Sequence, residues 1–198
     1  EIDLPPGYSM LWSGQYEYME KARQTLNIIL PVTILLIFVL LFFHFKNIAE
    51  SAIVMASLPF ALVGGVWLLY LLDYNLSVAV VVGFIALAGL AAETGVVMLV
   101  YLDEVYHRKI KNNEINTEKD LHAAIIEGAV ERVRPKIMTV ATTLIGLLPV
   151  MFGTETGSEV MKRIAAPMVG GLISSAILTL IIIPAVYDIW KRRELRSL

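Results

Sequence analysis

The stretch that decides the class of this chain is VAVVVGFIALAGLAAETGVVMLVYLDE, Val78 to Glu104. From Val78 to Leu102 it runs twenty-five residues with one charge inside, Glu93. A helix needs about 20 apolar residues to cross the hydrocarbon core of a bilayer, and this segment supplies them. By helical rise, Glu93 lies roughly 22 Å from the Val78 end and roughly 14 Å from the Leu102 end. A charge at that depth costs at least a few kcal/mol, so it needs a compensating partner or a proton. Burial disfavours the ionised form, which suits a group that takes up and returns a proton. Two readings stand: a proton-exchanging carboxyl, or a permanently protonated one bonded to a neighbouring helix.

The rest of the chain is built of similar segments. Hydrophobic residues make up 57%, mean hydropathy is +0.70 and only 17% of residues are charged, a balance that belongs to polytopic membrane proteins. Five spans are expected, at about 26–45, 52–72, 78–102, 134–153 and 165–187, the fourth borrowing residues around Arg134–Lys136. The class is therefore all-α, a membrane bundle of five transmembrane helices. With no cysteine, disulfides, thiolate metal sites and cysteine nucleophiles are excluded. No zinc-ligand motif, GxSxG or aspartate pair occurs in the spans, so the chain does not read as an enzyme. No resident cofactor is expected, and the net charge of −2 offers nothing to nucleic acid.

Lys and Arg set the orientation. Lys46, seven basic residues between Asp103 and Lys136, and Lys191, Arg192, Arg193 and Arg196 place twelve on one side. Lys21, Arg23, Lys162 and Arg163 place four on the other. The tail 191–198 and the connection 103–133 are thus expected in the cytoplasm, and residues 1–24 outside. A chain that starts outside with an odd number of spans is expected to be the tail of something longer. An independent five-span protein whose upstream signal was removed is the other reading.

Small residues mark packing faces: Ala88/Ala92 in the third span, Ala166/Gly170 and Gly171/Ser175 in the last. Such pairs let helix backbones approach inside lipid. Pro31, Pro59, Pro149, Pro167 and Pro184 stand in or at spans and mark bends. In NTEKDLHAAIIEGAVERVRP, Thr117 and Asp120 form a variant capping box. Leu121, Ala124, Ile125, Gly128 and Ala129 then fall on one face. The segment reads as an amphipathic helix along the inner surface, ended by Pro135, or as a plain connector.

The cationic partner for Glu93 is Lys136, although positive-inside bias and snorkelling also account for a lysine there. Thr139 and Thr143 stack above it as a polar stripe able to carry a proton through hydroxyls and water, or to glue helices. The crude span limits set Glu93 deeper than Lys136, so pairing needs a register shift or an intervening water. Eight methionines complete the inventory. Thioethers are soft ligands suited to Cu(I) and Ag(I), yet methionine is also common filler. Met161, at the outer mouth of the last span, is the one placed as a ligand.

LPPGYSMLWSGQYEYMEKA, IVMASLPFALVGGVWLLY, NLSVAVVVGFIALAGLAAETGVVMLVYLDE, VRPKIMTV and GSEVMKRIAAPMVGG resemble, in order, the C-terminal part of heavy-metal efflux transporters of the RND superfamily. The subgroup that they resemble is the copper/silver (CusA/SilA-type) one, over essentially the whole chain. The resemblance implies a homotrimer in the inner membrane of a Gram-negative bacterium, working with a periplasmic adaptor and an outer-membrane channel. It implies an N-terminal half that supplies the other acidic residue of a proton relay. Glu93 in AAETG and Lys136 in RPK match the relay positions of this half, and Met161 in GSEVM matches its metal-path methionine. Residues 1–24 would close the second periplasmic domain. Glu155, where a small residue is expected, departs from the pattern. The activity implied is proton-driven export of Cu(I)/Ag(I). The alternative is a non-transporting membrane subunit, a split or remnant half that needs a separately encoded partner.

Overall fold

The computed structural model describes residues 14–115 and 117–196. The expected lead-in over residues 1–13, with Met10, and positions 197–198 of the tail lie outside the described residues. Five helices follow in order: α1 (Gln15–Phe45), α2 (Ile48–Leu71), α3 (Val78–Lys111), α4 (Glu118–Phe152) and α5 (Ser158–Arg196). Each is long and apolar enough to cross a membrane, and no strand occurs among the described residues.

Local chemistry places the ends. Asn47 opens α2 by accepting from the Ala49 amide at 3.0 Å, and Ser77 opens α3 through the Val80 amide. The capping box at α4 is complete: Thr117 Oγ1 accepts from the Asp120 amide and Asp120 Oδ2 from the Thr117 amide, at 3.3 and 2.9 Å. α2 and α3 close alike. Asp73 and Asn113 take φ near +55°, and the amides of Tyr74 and Glu114 reach back to Leu69 and Lys109 carbonyls. That is the left-handed closure that satisfies otherwise orphaned carbonyls.

Two expectations are corrected at α4. Pro135 does not end the connection helix; α4 runs without interruption through Pro135 and Pro149 to Phe152. A proline inside a helix removes one hydrogen bond and crowds the preceding turn, at about 3 kcal/mol. Packing on both sides outweighs that cost, with Leu121, Ala124, Ile125 and Gly128 buried before the proline and Val140 after it. The expected apolar face is real, but it does not lie on lipid. A Cβ on Gly128 would stand 3.4 Å from Leu102, Val105 and the Tyr101 carbonyl, so α3 covers it. With 34 and 35 residues, α3 and α4 are each about 51 Å long, well beyond a bilayer core. Their joined ends form a hairpin tied by Arg108 and Lys109 to Glu127 at 3.0 and 2.5 Å.

The chain divides into two units, up to Ile37 and from Phe38 onward. The first is the bulk of α1, a continuous helix through Pro31 whose Ile28, Leu35 and Leu36 are exposed. In the second, α5 packs against α2, α3 and α4. The tightest approaches need glycine. A Cβ on Gly64 would stand 2.3 Å from the Gly170 carbonyl oxygen, and one on Gly83 would stand 2.3 Å from that of Ile164. Ala166, Gly170, Gly171 and Ser175, expected as a small-residue surface, supply part of this seam; Ala166 and Ser175 are buried in it.

Candidate functional site

α3 turns one face toward the α2/α5 seam, burying Val80, Gly83, Leu87, Ala91, Gly95, Met98, Leu99 and Leu102. Glu93 and Thr94 fall off that face, as helical periodicity requires. They open instead on a cavity of about 110 Å³ bounded by α3, α4 and α5. Glu93, Thr94, Arg132, Lys136, Thr139, Thr143 and Thr179 are its polar lining. The three residues expected to act together, Glu93, Lys136 and Thr139, therefore share one space.

The hairpin register accounts for the meeting. Gly128 lies against Leu102; eight residues on from Gly128 is Lys136, and eight back from Leu102 is Thr94. The mismatch in depth anticipated from the span limits is thus absorbed by α4 continuing as one antiparallel partner of α3. Lys136, half-buried, donates through Nζ to Thr94 Oγ1. Thr94 Oγ1 in turn donates to the Leu90 carbonyl at 2.7 Å. No ion pair within 4 Å joins Lys136 to Glu93 among the described residues, although both line the same cavity. Arg132 lies over the Tyr101 ring, 4.4 Å from its centre.

The threonine stripe is oriented differently from a simple hydroxyl wire. Thr139 donates to the Pro135 carbonyl, Thr142 to Met138 and Thr143 to Thr139, each at 2.9 Å. Their protons point into their own helix, which leaves their oxygens as acceptors. The bond to Pro135 also adds a donor in the turn that the proline disturbs. A proton crossing this cavity would travel on water, for which the space is ample, with the hydroxyls orienting it.

Met161 is not part of this group. It lies in the first turn of α5, 58% exposed, on an open recess with Glu155, Thr154, Thr156 and Ser158. Met161 stands about 27 Å along α5 from the cavity residue Thr179 by helical rise. No second methionine lines that recess, and no cluster of three or more His, Asp or Glu able to hold a metal occurs among the described residues.

Two features escaped sequence reasoning. One is Thr94, which followed the more conspicuous Glu93. The other is a buried polar knot where α2, α3 and α5 meet. Tyr187, fully buried, donates to Asp103 Oδ1 at 2.9 Å. Lys191, expected in a solvated tail, is 6% exposed, with Nζ 4.7 Å from the Tyr106 ring centre and 4.3 Å from that of Trp190. Glu50 is buried nearby, and Asp188 pairs with Arg192 at 2.6 Å. The spacing of aromatic residues around Lys191 was the available signal, since a cation over rings is a stable burial.

The profile of the AcrB/AcrD/AcrF family matches residues 1–191. The SilA protein of Salmonella typhimurium is 50% identical over 200 aligned residues, 100% of this chain and 19% of the relative. The cation efflux system protein CusA of Escherichia coli K12 is 50% identical over 197 residues, 98% of this chain and 19% of the relative. A crystal structure of a heavy metal efflux pump superposes with a TM-score of 0.77 at 34% identity, covering 96% of this chain and 18% of that one. The chain thus spans about a fifth of the length of the relatives it matches. With profile, sequence and fold in agreement, the chain belongs to the AcrB/AcrD/AcrF family, on its CusA/SilA-type heavy-metal RND branch.

Proposed function

We propose that this chain is the C-terminal membrane part of a proton-driven exporter of Cu(I) and Ag(I), and that Glu93, Lys136 and Thr139 form its share of the proton relay. The observation that carries the reading is the single cavity shared by Glu93, Lys136 and Thr139 between three long apolar helices. An intramembrane carboxyl beside an ammonium is costly unless it serves an ion pathway. Protonation of Glu93 removes its attraction for Lys136, and deprotonation restores it. The proton arrives from the outer side and leaves to the inner one, so each cycle returns both groups to their starting charge. α5, which lines the cavity with Thr179 and carries Met161 in its first turn, is the element that links this change to the metal mouth. Met161 serves the metal path there as a soft, neutral ligand that exchanges Cu(I) or Ag(I) quickly, alongside methionines contributed elsewhere in the transporter.

On this reading the working unit is a homotrimer in the inner membrane. It includes the N-terminal half with the other relay acid, and docks on a periplasmic adaptor and an outer-membrane channel. Residues 1–24 are periplasmic, and the α3–α4 hairpin tip and the basic tail are cytoplasmic, in line with the distribution of Lys and Arg. The test is Glu93→Gln in the complete transporter at matched membrane abundance. Silver and copper tolerance is expected to fall to that of cells without the transporter. Wild-type tolerance would mean that Glu93 only bonds a neighbouring helix.

A further inference from the structure

The cavity contains a contact that a plain Glu–Lys pair does not need. Lys136 reaches past Glu93 and gives its proton to the hydroxyl of Thr94, the next residue on α3. Thr94 Oγ1 is held as an acceptor, because its own proton is committed to the Leu90 carbonyl. The ammonium therefore has two acceptors on adjacent positions of one helix, the Thr94 hydroxyl and the Glu93 carboxylate, both lining the same cavity. The lysine side chain is long and flexible enough to serve either.

We infer that Thr94 is a positioning residue that docks the Lys136 ammonium while Glu93 carries its proton, so that the lysine alternates between Thr94 and Glu93 as the carboxyl titrates. This rests on the relay proposed above and adds to it a defined resting place for the cation. A neutral Glu93 offers the ammonium no charge, and the fixed hydroxyl oxygen is then the better acceptor. An ionised Glu93 draws the ammonium across, since a charge-assisted bond is roughly twice as strong as a neutral one. Thr94 thereby stabilises the protonated state of the site and sets the acidity at which Glu93 loads.

Few other charges complicate the exchange. Glu93 is faced from α4 by Lys136 and Arg132, and Arg132 is engaged over the Tyr101 ring of α3. α5 contributes Leu172, Thr179 and Leu180, none of which titrates, and α2 contributes no lining residue. The hydroxyl of Thr94 is thus the adjustable group. Replacing it by a methyl removes the alternative dock, leaves Lys136 on Glu93 throughout, and makes the carboxyl harder to protonate.

The experiment compares Thr94→Val and Thr94→Ser in the full-length transporter. The first readout is the pH dependence of Ag(I) transport in proteoliposomes. The second is the pH at which the carboxyl stretching band of Glu93, identified by its loss in Glu93→Gln, appears in the infrared difference spectrum of the purified protein. Thr94→Val is expected to displace both toward acid by about one pH unit, the scale of a lost hydrogen bond to a charged group. Thr94→Ser, which keeps the hydroxyl, is expected to track the wild type. Unchanged midpoints in Thr94→Val, or an equal displacement in Thr94→Ser, overturn the inference. If Thr94→Val does not accumulate, Thr94→Ala supplies the same comparison. Should Glu93→Gln transport normally and leave every carboxyl band in place, the relay itself fails. A silent Thr94→Val beside a dead Glu93→Gln removes only the docking role.

Discussion

The two sides of α3 are built on opposite principles. Toward α2 and α5 it presents Gly83, Leu87, Gly95 and Leu99 in a dry seam, where a Cβ on Gly83 would stand 2.3 Å from a carbonyl oxygen of α5. Toward α4 it presents Glu93, Thr94 and Val97 around open space, and the link across is one flexible side chain. Lipid gives apolar helices no hydrophobic reason to associate, so close packing must hold the first seam, and close packing is stiff. The second seam is held by groups whose partners exchange with protonation. One helix thus has a fixed side and a compliant side, and movement belongs to the compliant one.

That contrast can be broken most forcefully by filling the stiff seam. Gly83→Ala places a methyl against backbone, which cannot swing aside, and is expected to cost about 1–3 kcal/mol or more. Thermal unfolding of the detergent-solubilised full-length protein, with membrane abundance beside it, reads the effect. Next in size is the knot at the far end of the same seam. Tyr187→Phe removes the donor to Asp103 and leaves a partly buried carboxylate short of a partner, for about 1–2 kcal/mol. The same melting experiment reports it, and the silver-transport pH profile should stay where it is. Smallest is Gly89→Ala, the same substitution on the same helix, where the methyl would meet nothing within 4 Å. Relief of glycine's backbone freedom then stabilises by about 0.5–1 kcal/mol. Equal losses at Gly83 and Gly89 would erase the distinction between the two sides; opposite signs would sharpen it.

Much of this was legible in the residues. Runs of apolar sequence announced the five helices, Thr117 and Asp120 announced the start of α4, and the isolated charges Glu93 and Lys136 announced each other. Legibility failed where a local rule met tertiary packing. Pro135 is a sound stop signal for an isolated helix, but Leu121, Ile125 and Gly128 dock on α3 before it and Val140 packs after it. Lys191 looked like a tail charge because nothing local showed that Tyr106, nearly a whole helix pair away in sequence, would cover it. Thr94 was overlooked for a similar reason. An intrahelical hydroxyl bond and a cavity-facing acceptor look alike until the antiparallel register of α4 is known. Met161 was placed at its mouth by sequence; the second methionine that a metal path needs is absent from its recess.

The α3–α4 hairpin has a genetic corollary. Its register is fixed by Gly128 seated on α3, not by the turn at 112–117 that joins the two helices. Extra residues spliced into that turn would loop out and leave the Lys136–Thr94 encounter in phase. A single codon inserted between Gly128 and Lys136 would rotate the lysine by about 100° and swing its ammonium off the cavity. Length changes are therefore free at the tip of the hairpin and forbidden for eight residues along its shaft, a vernier that any reshuffling of this gene segment must respect.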